Sequence, residues 1–188
     1  MTPFRGMAMG LLLGLSSLSA LAQPYTRIVP EKSRIAFVYR QMNVPMEGQF
    51  KRFTGQLSFD PTRLELARAQ LDIELASFDS GAADADEEVR GKLWFNTREF
   101  PRAQFLATSV RSVGAQRFEI SGKLSMKGRT RDLVLPVSLR QEGALGVFEG
   151  SAAINRADFG IGEGVWADYG TVANAVQIRF QLVAARDK

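Results

Sequence analysis

The chain has 188 residues, of which 45% are hydrophobic, 23% charged and 10% aromatic, a balance that fits one globular domain and disfavours disorder or a collagen-like repeat. It contains no Cys and no His, which excludes thiolate and imidazole metal sites, cysteine nucleophiles, His-dependent triads and a disulfide scaffold. A net charge of +4 is too small a surplus to argue for nucleic acid.

Residues 1–22 read as a secretory signal peptide. Arg5 supplies a positive start, residues 6–18 form a short apolar run, and Ala20-Leu21-Ala22 offers the small residues that a signal peptidase reads, so cleavage before Gln23 is expected. Ser16, Ser17 and Ser19 interrupt the run before it reaches the about 20 apolar residues of a spanning helix. No Cys follows it, so a lipoprotein anchor is not expected. Residues 23–188 are expected to form a single exported domain.

Period-two alternation dominates that domain. It runs through residues 33–40, 50–59, 68–75, 104–110, 118–126, 133–140, 147–154 and 176–182. In the third run, Arg68, Gln70, Asp72 and Glu74 alternate with Ala69, Leu71, Ile73 and Leu75, which predicts one wet and one dry face. Turn signals fall between runs at Asp60-Pro61, Val113-Gly114, Lys127-Gly128 and Glu142-Gly143. Residues 83–93 break the pattern and predict a short helix. Asp84 is its expected N-cap, acids fill the first turn, Arg90 and Lys92 lie in the last, and Val89 and Leu93 form its apolar stripe. Residues 156–171 are irregular, with Gly160, Gly162, Gly164 and Gly170 around Phe159, Trp166 and Tyr169.

The expected fold is all-β: eight antiparallel strands closed into a barrel or packed as a sandwich, with one short helix between strands. A barrel of that size either fills with side chains or holds one small ligand, and the 13 Phe of the chain suit both outcomes. A membrane barrel has the same alternation, but the charged face of residues 68–74 suits a solvated exterior, and the aromatic residues form no paired girdles.

Chemical motifs mostly fail. Asp84-x-Asp86-x-Glu88 copies the start of a calcium loop, yet Val89 stands where Gly is needed and Phe95 where Glu is needed. Gly160-Ile161-Gly162-Glu163-Gly164 lacks the Lys-Ser/Thr of a phosphate loop. Arg156, Asp158 and Glu163 cluster near Phe159 and Trp166, either as a structural Arg–Asp bridge or as contacts for a ligand head group. With Tyr39 they are the ionisable groups an enzyme would need inside the barrel; otherwise no catalytic residues are assigned.

Six segments in order resemble the YceI-like family of periplasmic, polyisoprenoid-binding, lipocalin-like proteins. They are Ser33-Arg34-Ile35-Ala36-Phe37; Glu47-Gly48-Gln49-Phe50 with Phe53-Thr54-Gly55 and Phe59-Asp60-Pro61; Trp94-Phe95; Phe100-Pro101 running to Phe105; Gly122 through Lys127-Gly128 to Thr130; and Asn155-Arg156-Ala157-Asp158-Phe159-Gly160 running to Gly162. The chain departs from the family at Tyr39-Arg40-Gln41, where many members carry a His, and at Ala175, where related sequences carry an acid.

The resemblance implies an eight-stranded antiparallel, lipocalin-like barrel that serves as a periplasmic carrier, with an elongated apolar tunnel for a polyisoprenoid or quinone-like lipid and no other cofactor. Enzymatic action on such a lipid, partnership with an inner-membrane cytochrome b, and pairing of two copies stay open beside it. The expected lining follows the dry faces of the strands: Phe37, Tyr39, Phe50, Phe53, Leu57 and Phe59 from the first half. Ile73, Phe105, Ile120, Leu124, Leu135 and Val137 continue it, followed by Phe148, Ile154 and Phe180. Phe159 and Trp166, with Trp94 and Phe95, are expected to close the ends.

Overall fold

A computed structural model describes residues 23–186. The expected signal peptide lies outside the described residues. Eleven strands are present among them: β1 (Tyr25–Ile28), β2 (Arg34–Gln41), β3 (Val44–Phe50), β4 (Phe53–Ser58), β5 (Arg68–Glu74), β6 (Phe78–Asp79), β7 (Arg102–Gly114), β8 (Arg117–Met126), β9 (Arg129–Glu142), β10 (Leu145–Asn155) and β11 (Ala175–Arg186). Eight coincide with the alternating runs, and β1, β3 and β6 are additional. All belong to one antiparallel sheet in the order β4-β5-β7-β8-β9-β10-β11-β2-β3-β6, with β1 beside β11.

The sheet curls into a half-barrel. The ladder does not close between the edge strand β4 and the β3–β6 edge. Closure comes at one end only, where the Tyr25 N–H donates to the Phe59 carbonyl (2.8 Å) and the Phe59 N–H returns a bond to Tyr25 (3.0 Å).

Turn chemistry fixes the hairpins. The β8–β9 turn is Lys127-Gly128, with φ of 48° and 72°, the doubly left-handed geometry whose twist matches that of flanking strands. The β2–β3 turn has the same geometry on less favoured residues, Met42 (φ 47°) and Asn43 (φ 64°).

Glycines opposite aromatics let the sheet curl. A Cβ on Gly48, Gly122 or Gly150 would overlap the rings of Phe37, Phe105 and Phe180, respectively, so each ring lies across a bare stretch of neighbouring backbone. The aromatic core forms two clusters. At one end Phe37 stacks on Phe78 at 4.7 Å, above Leu75, Phe95 and Phe159. At the other, Phe59 meets Phe118 and Phe148 edge-on at 5.1 Å each, next to Tyr25. Each buried Phe contributes about 1.5–3 kcal/mol, an upper figure because the unfolded chain is itself partly compact.

The helix α1 (Ala83–Arg90) is shorter than expected and starts differently. Ala82 is the N-cap and makes no side-chain cap bond, so Asp84 lies inside the first turn. Asp86 is buried and takes the capping part in reverse, accepting from the Ser80 N–H (2.8 Å) and hydroxyl (2.7 Å). Gly91 turns the backbone to an extended conformation and ends the helix before Leu93.

Candidate functional site

The inward faces of the strands enclose two apolar chambers that meet at Ile178 of β11. The smaller, of about 120 Å³, lies between β4–β5 and β7–β11. Leu57, Ile73, Phe105, Ile120, Leu124 and Leu135 line it, together with Val137, Phe148 and Phe180. The larger, of about 390 Å³, lies between β2, β3, α1 and the glycine-rich connection from β10 to β11. Phe37, Tyr39, Phe50, Ile154 and Trp166 line it. That volume falls within the range of about 300–1,000 Å³ usual for small-molecule sites.

A wider groove of about 900 Å³ carries Arg34, Glu47, Arg117, Glu149 and Arg179 on its walls, so it lacks the dry surface of the two chambers.

Three residues expected in the lining sit elsewhere. Phe53 faces the cleft along the unclosed edge, among Lys51, Arg52 and Glu74. Phe59 packs into the closed end, and Phe159 is 1% exposed within the core cluster beneath the larger chamber. Conversely, Ile35, Leu71, Leu133, Leu182, Val176 and Ile178 line the chambers without having been singled out. All six lie on alternating strands beside named residues, so the period-two signal was available. Phe78 and Val89 line the larger chamber from β6 and α1, where no such periodicity exists.

Arg156 is neither a partner for Asp158 nor a free head-group contact. It is 2% exposed, and all five of its guanidinium N–H donors go to backbone carbonyls. Nε reaches Ala173 (3.2 Å), one terminal nitrogen Ile161 and Gly162 (2.8 Å each), and the other Trp166 (2.7 Å) and Val172 (2.8 Å). The guanidinium also lies 5.7 Å from the Trp94 ring and 5.3 Å from that of Tyr169. Burial pulls its pKa below the usual arginine value, opposed by Tyr169 and Asp168. The glycines make this wrapping possible. Gly162 has φ 73°, and a Cβ there would collide with the guanidinium.

Asp158 and Glu163 are exposed, and Glu163 pairs with Lys127 (3.1 Å) and Arg129 (3.4 Å) outside the cavity. Of the four ionisable groups an enzyme would have used, Tyr39 alone presents a side chain to the chamber that is not already engaged. Its pKa is raised, first by burial and then by Asp86. Asp84 and Glu88 sit on the same wall, and Trp94 contributes a ring whose Nε1 is buried with no hydrogen-bond partner among the described residues.

The YceI-like domain matches residues 27–184. The chain belongs to the YceI-like family. A UPF0312 protein of Photorhabdus laumondii is 29% identical over 97% of this chain and 96% of its own length. One from Azotobacter vinelandii is 33% identical over 61% and 62%. Among solved structures, Burkholderia cenocepacia BcnA superposes with a TM-score of 0.82 at 39% identity, covering 84% of this chain and 99% of its own. A polyisoprenoid binding domain from Saccharophagus degradans, implicated in plant cell wall breakdown, shares the fold with a TM-score of 0.68 at 18% identity, over 88% and 100%.

In YceI-like terms, the Tyr39-Arg40-Gln41 departure noted in the sequence falls on the chamber wall, where Tyr39 and Gln41 both contribute. The Asn155 to Gly160 segment positions the buried Arg156 clamp instead of a ligand group.

Proposed function

We propose that the protein is an exported carrier that holds one amphiphilic lipid of polyisoprenoid or isoprenoid-quinone type, its tail in the paired chambers and its head toward α1. The observation that carries this reading is the continuous apolar wall on both sides of Ile178. Each buried methylene contributes about 0.8 kcal/mol, so one five-carbon unit gains on the order of 3–4 kcal/mol before ordering costs. An unpaired charge in the tail channel would cost several kcal/mol, and the smaller chamber is lined by no ionisable side chain. The polyisoprenoid-binding relative from Saccharophagus degradans supports the same choice of ligand.

Both Trp of the chain, Trp94 and Trp166, line the larger chamber and serve as built-in reporters. Titration with geranylgeraniol is expected to change their fluorescence saturably at one molecule per chain. A flat titration would count against the carrier. Export is tested separately, by N-terminal sequencing of protein recovered from a periplasmic extract, with Gln23 expected as the first residue.

A further inference from the structure

We infer that the rim of the larger chamber is a bilayer-docking surface, over which the protein takes its lipid from a membrane interface and returns it there. This rests on the carrier reading and adds the surface on which that carrier works.

The placement of the exposed apolar side chains carries it. Among the described residues, nine large hydrophobic side chains are exposed, and five of them, Met42, Val44, Leu93, Val165 and Tyr169, surround this chamber. Each neighbours a residue of its lining. Met42 follows Gln41, and Val44 is the cross-strand partner of Gln41. Leu93 precedes Trp94, and Val165 precedes Trp166. The five are also joined to one another. The Met42 N–H donates to the Thr171 carbonyl (2.9 Å), two residues past Tyr169, and a Cβ on Gly164, next to Val165, would touch Leu93 at 3.4 Å. Leu66, Leu106, Val113 and Val134 are exposed on other elements, and apolar residues scattered in that way are ordinary.

The ligand decides what covers this rim. A prenyl lipid resides in a bilayer, and every methylene carried through water on the way to the chamber is costly. A dry route from bilayer to chamber passes over these five residues. Tyr169 and Trp166 add rings of the kind that concentrate at the membrane–water interface. Charge at the rim is mixed: exposed Arg40 and Lys92 stand beside exposed Asp84, Glu87 and Asp168. Docking therefore rests on apolar insertion, without the basic cluster that draws a protein to anionic lipid.

The test is flotation of the protein with phosphatidylcholine vesicles free of prenyl lipid, at low and at high salt. The protein is expected to float with the vesicles, and its bound fraction to change less than about twofold with salt. The double variant Met42→Asp with Val165→Asp is expected to lower vesicle affinity at least about tenfold. Val165 is 81% exposed, and an Asp tolerates the left-handed backbone of Met42, so the fold is kept. Val134→Asp, placed on β9 away from the rim, is expected to float as before. Detergent-solubilised geranylgeraniol is expected to bind all three proteins alike, which separates docking from holding. A protein that binds geranylgeraniol but does not float, or one that loses flotation equally in Val134→Asp, would overturn this inference and leave the carrier reading standing. So would a dimer in sedimentation that the double variant splits, since a second copy would then cover the rim. Failure of geranylgeraniol to bind any of the three would overturn the carrier reading, and the docking inference with it.

Discussion

The Trp166 Nε1–H donates to Glu88 Oε1 at 2.8 Å and so ties the glycine-rich connection to helix α1 across the larger chamber. Both side chains also line the chamber, which makes this bond a latch between the connection and the helix; past the end of the helix, the Leu93 carbonyl accepts from the N–H groups of Gly162 and Glu163. The bond is solvent-exposed, so its contribution to stability is small.

Trp166→Phe keeps an aromatic ring, though a smaller one, and removes the bond. It is expected to speed lipid release several-fold in a transfer assay to vesicles, while lowering stability by no more than about 1 kcal/mol. An unchanged release rate would show that the mouth opens elsewhere.

Arg156→Met replaces the guanidinium by an apolar chain of similar length and leaves five carbonyls without donors. The expected loss is about 3–5 kcal/mol, seen by urea unfolding of ligand-free protein. Arg156→Lys offers three donors where five are used and is expected to fall between the two. A near-neutral Met variant would mean that water replaces the clamp.

Among the described residues, Ile178 alone lines both chambers. Ile178→Phe is expected to separate them, lowering affinity for an eight-unit prenyl tail at least about tenfold while a two-unit tail is little affected. Equal losses for both tails would place the tail outside the smaller chamber.

Asp60 is 6% exposed and accepts from the Thr62 hydroxyl (2.7 Å), the Thr62 N–H (2.9 Å) and Arg63 Nε (2.8 Å). These bonds, the Thr62 hydroxyl foremost, hold its pKa down at about 2. The unfolded value is about 3.9, so the carboxylate stabilises the fold above about pH 4, and that contribution is lost as pH falls through about 2. Asp60→Asn is expected to cost about 1–2 kcal/mol at neutral pH and much less near pH 2. Urea unfolding of both proteins at the two pH values checks it; a cost that does not shrink in acid would assign it to shape instead of charge.

Where alternation is strong, the strands were legible in the sequence. Arg68 to Glu74 alternates cleanly and forms β5, and Lys127-Gly128 marks a hairpin that the backbone dihedrals bear out. β3 was hidden because Pro45 and Gly48 dilute its pattern and because its turn uses Met42-Asn43, a pair with no glycine to announce two left-handed residues. β6, with two residues, is too short for any period. The chamber wall was legible on β2, β7, β8 and β11 for the same reason. The Arg156 clamp was not: its partners are backbone carbonyls, which leave no mark in side-chain composition. Nor could the strand pattern show that Phe59 and Phe159 are taken up wholly by the core clusters while Phe37 and Phe50, packed against other rings, also line the larger chamber.

The carrier function stands or falls with a lipid in the space around Ile178. Native mass spectrometry of the protein as isolated, never exposed to added ligand, tests this most directly. The expected spectrum contains a species heavier than the polypeptide by the mass of one prenyl-type lipid, released intact on collisional activation. A spectrum of bare polypeptide alone, unchanged after incubation with geranylgeraniol, would contradict it.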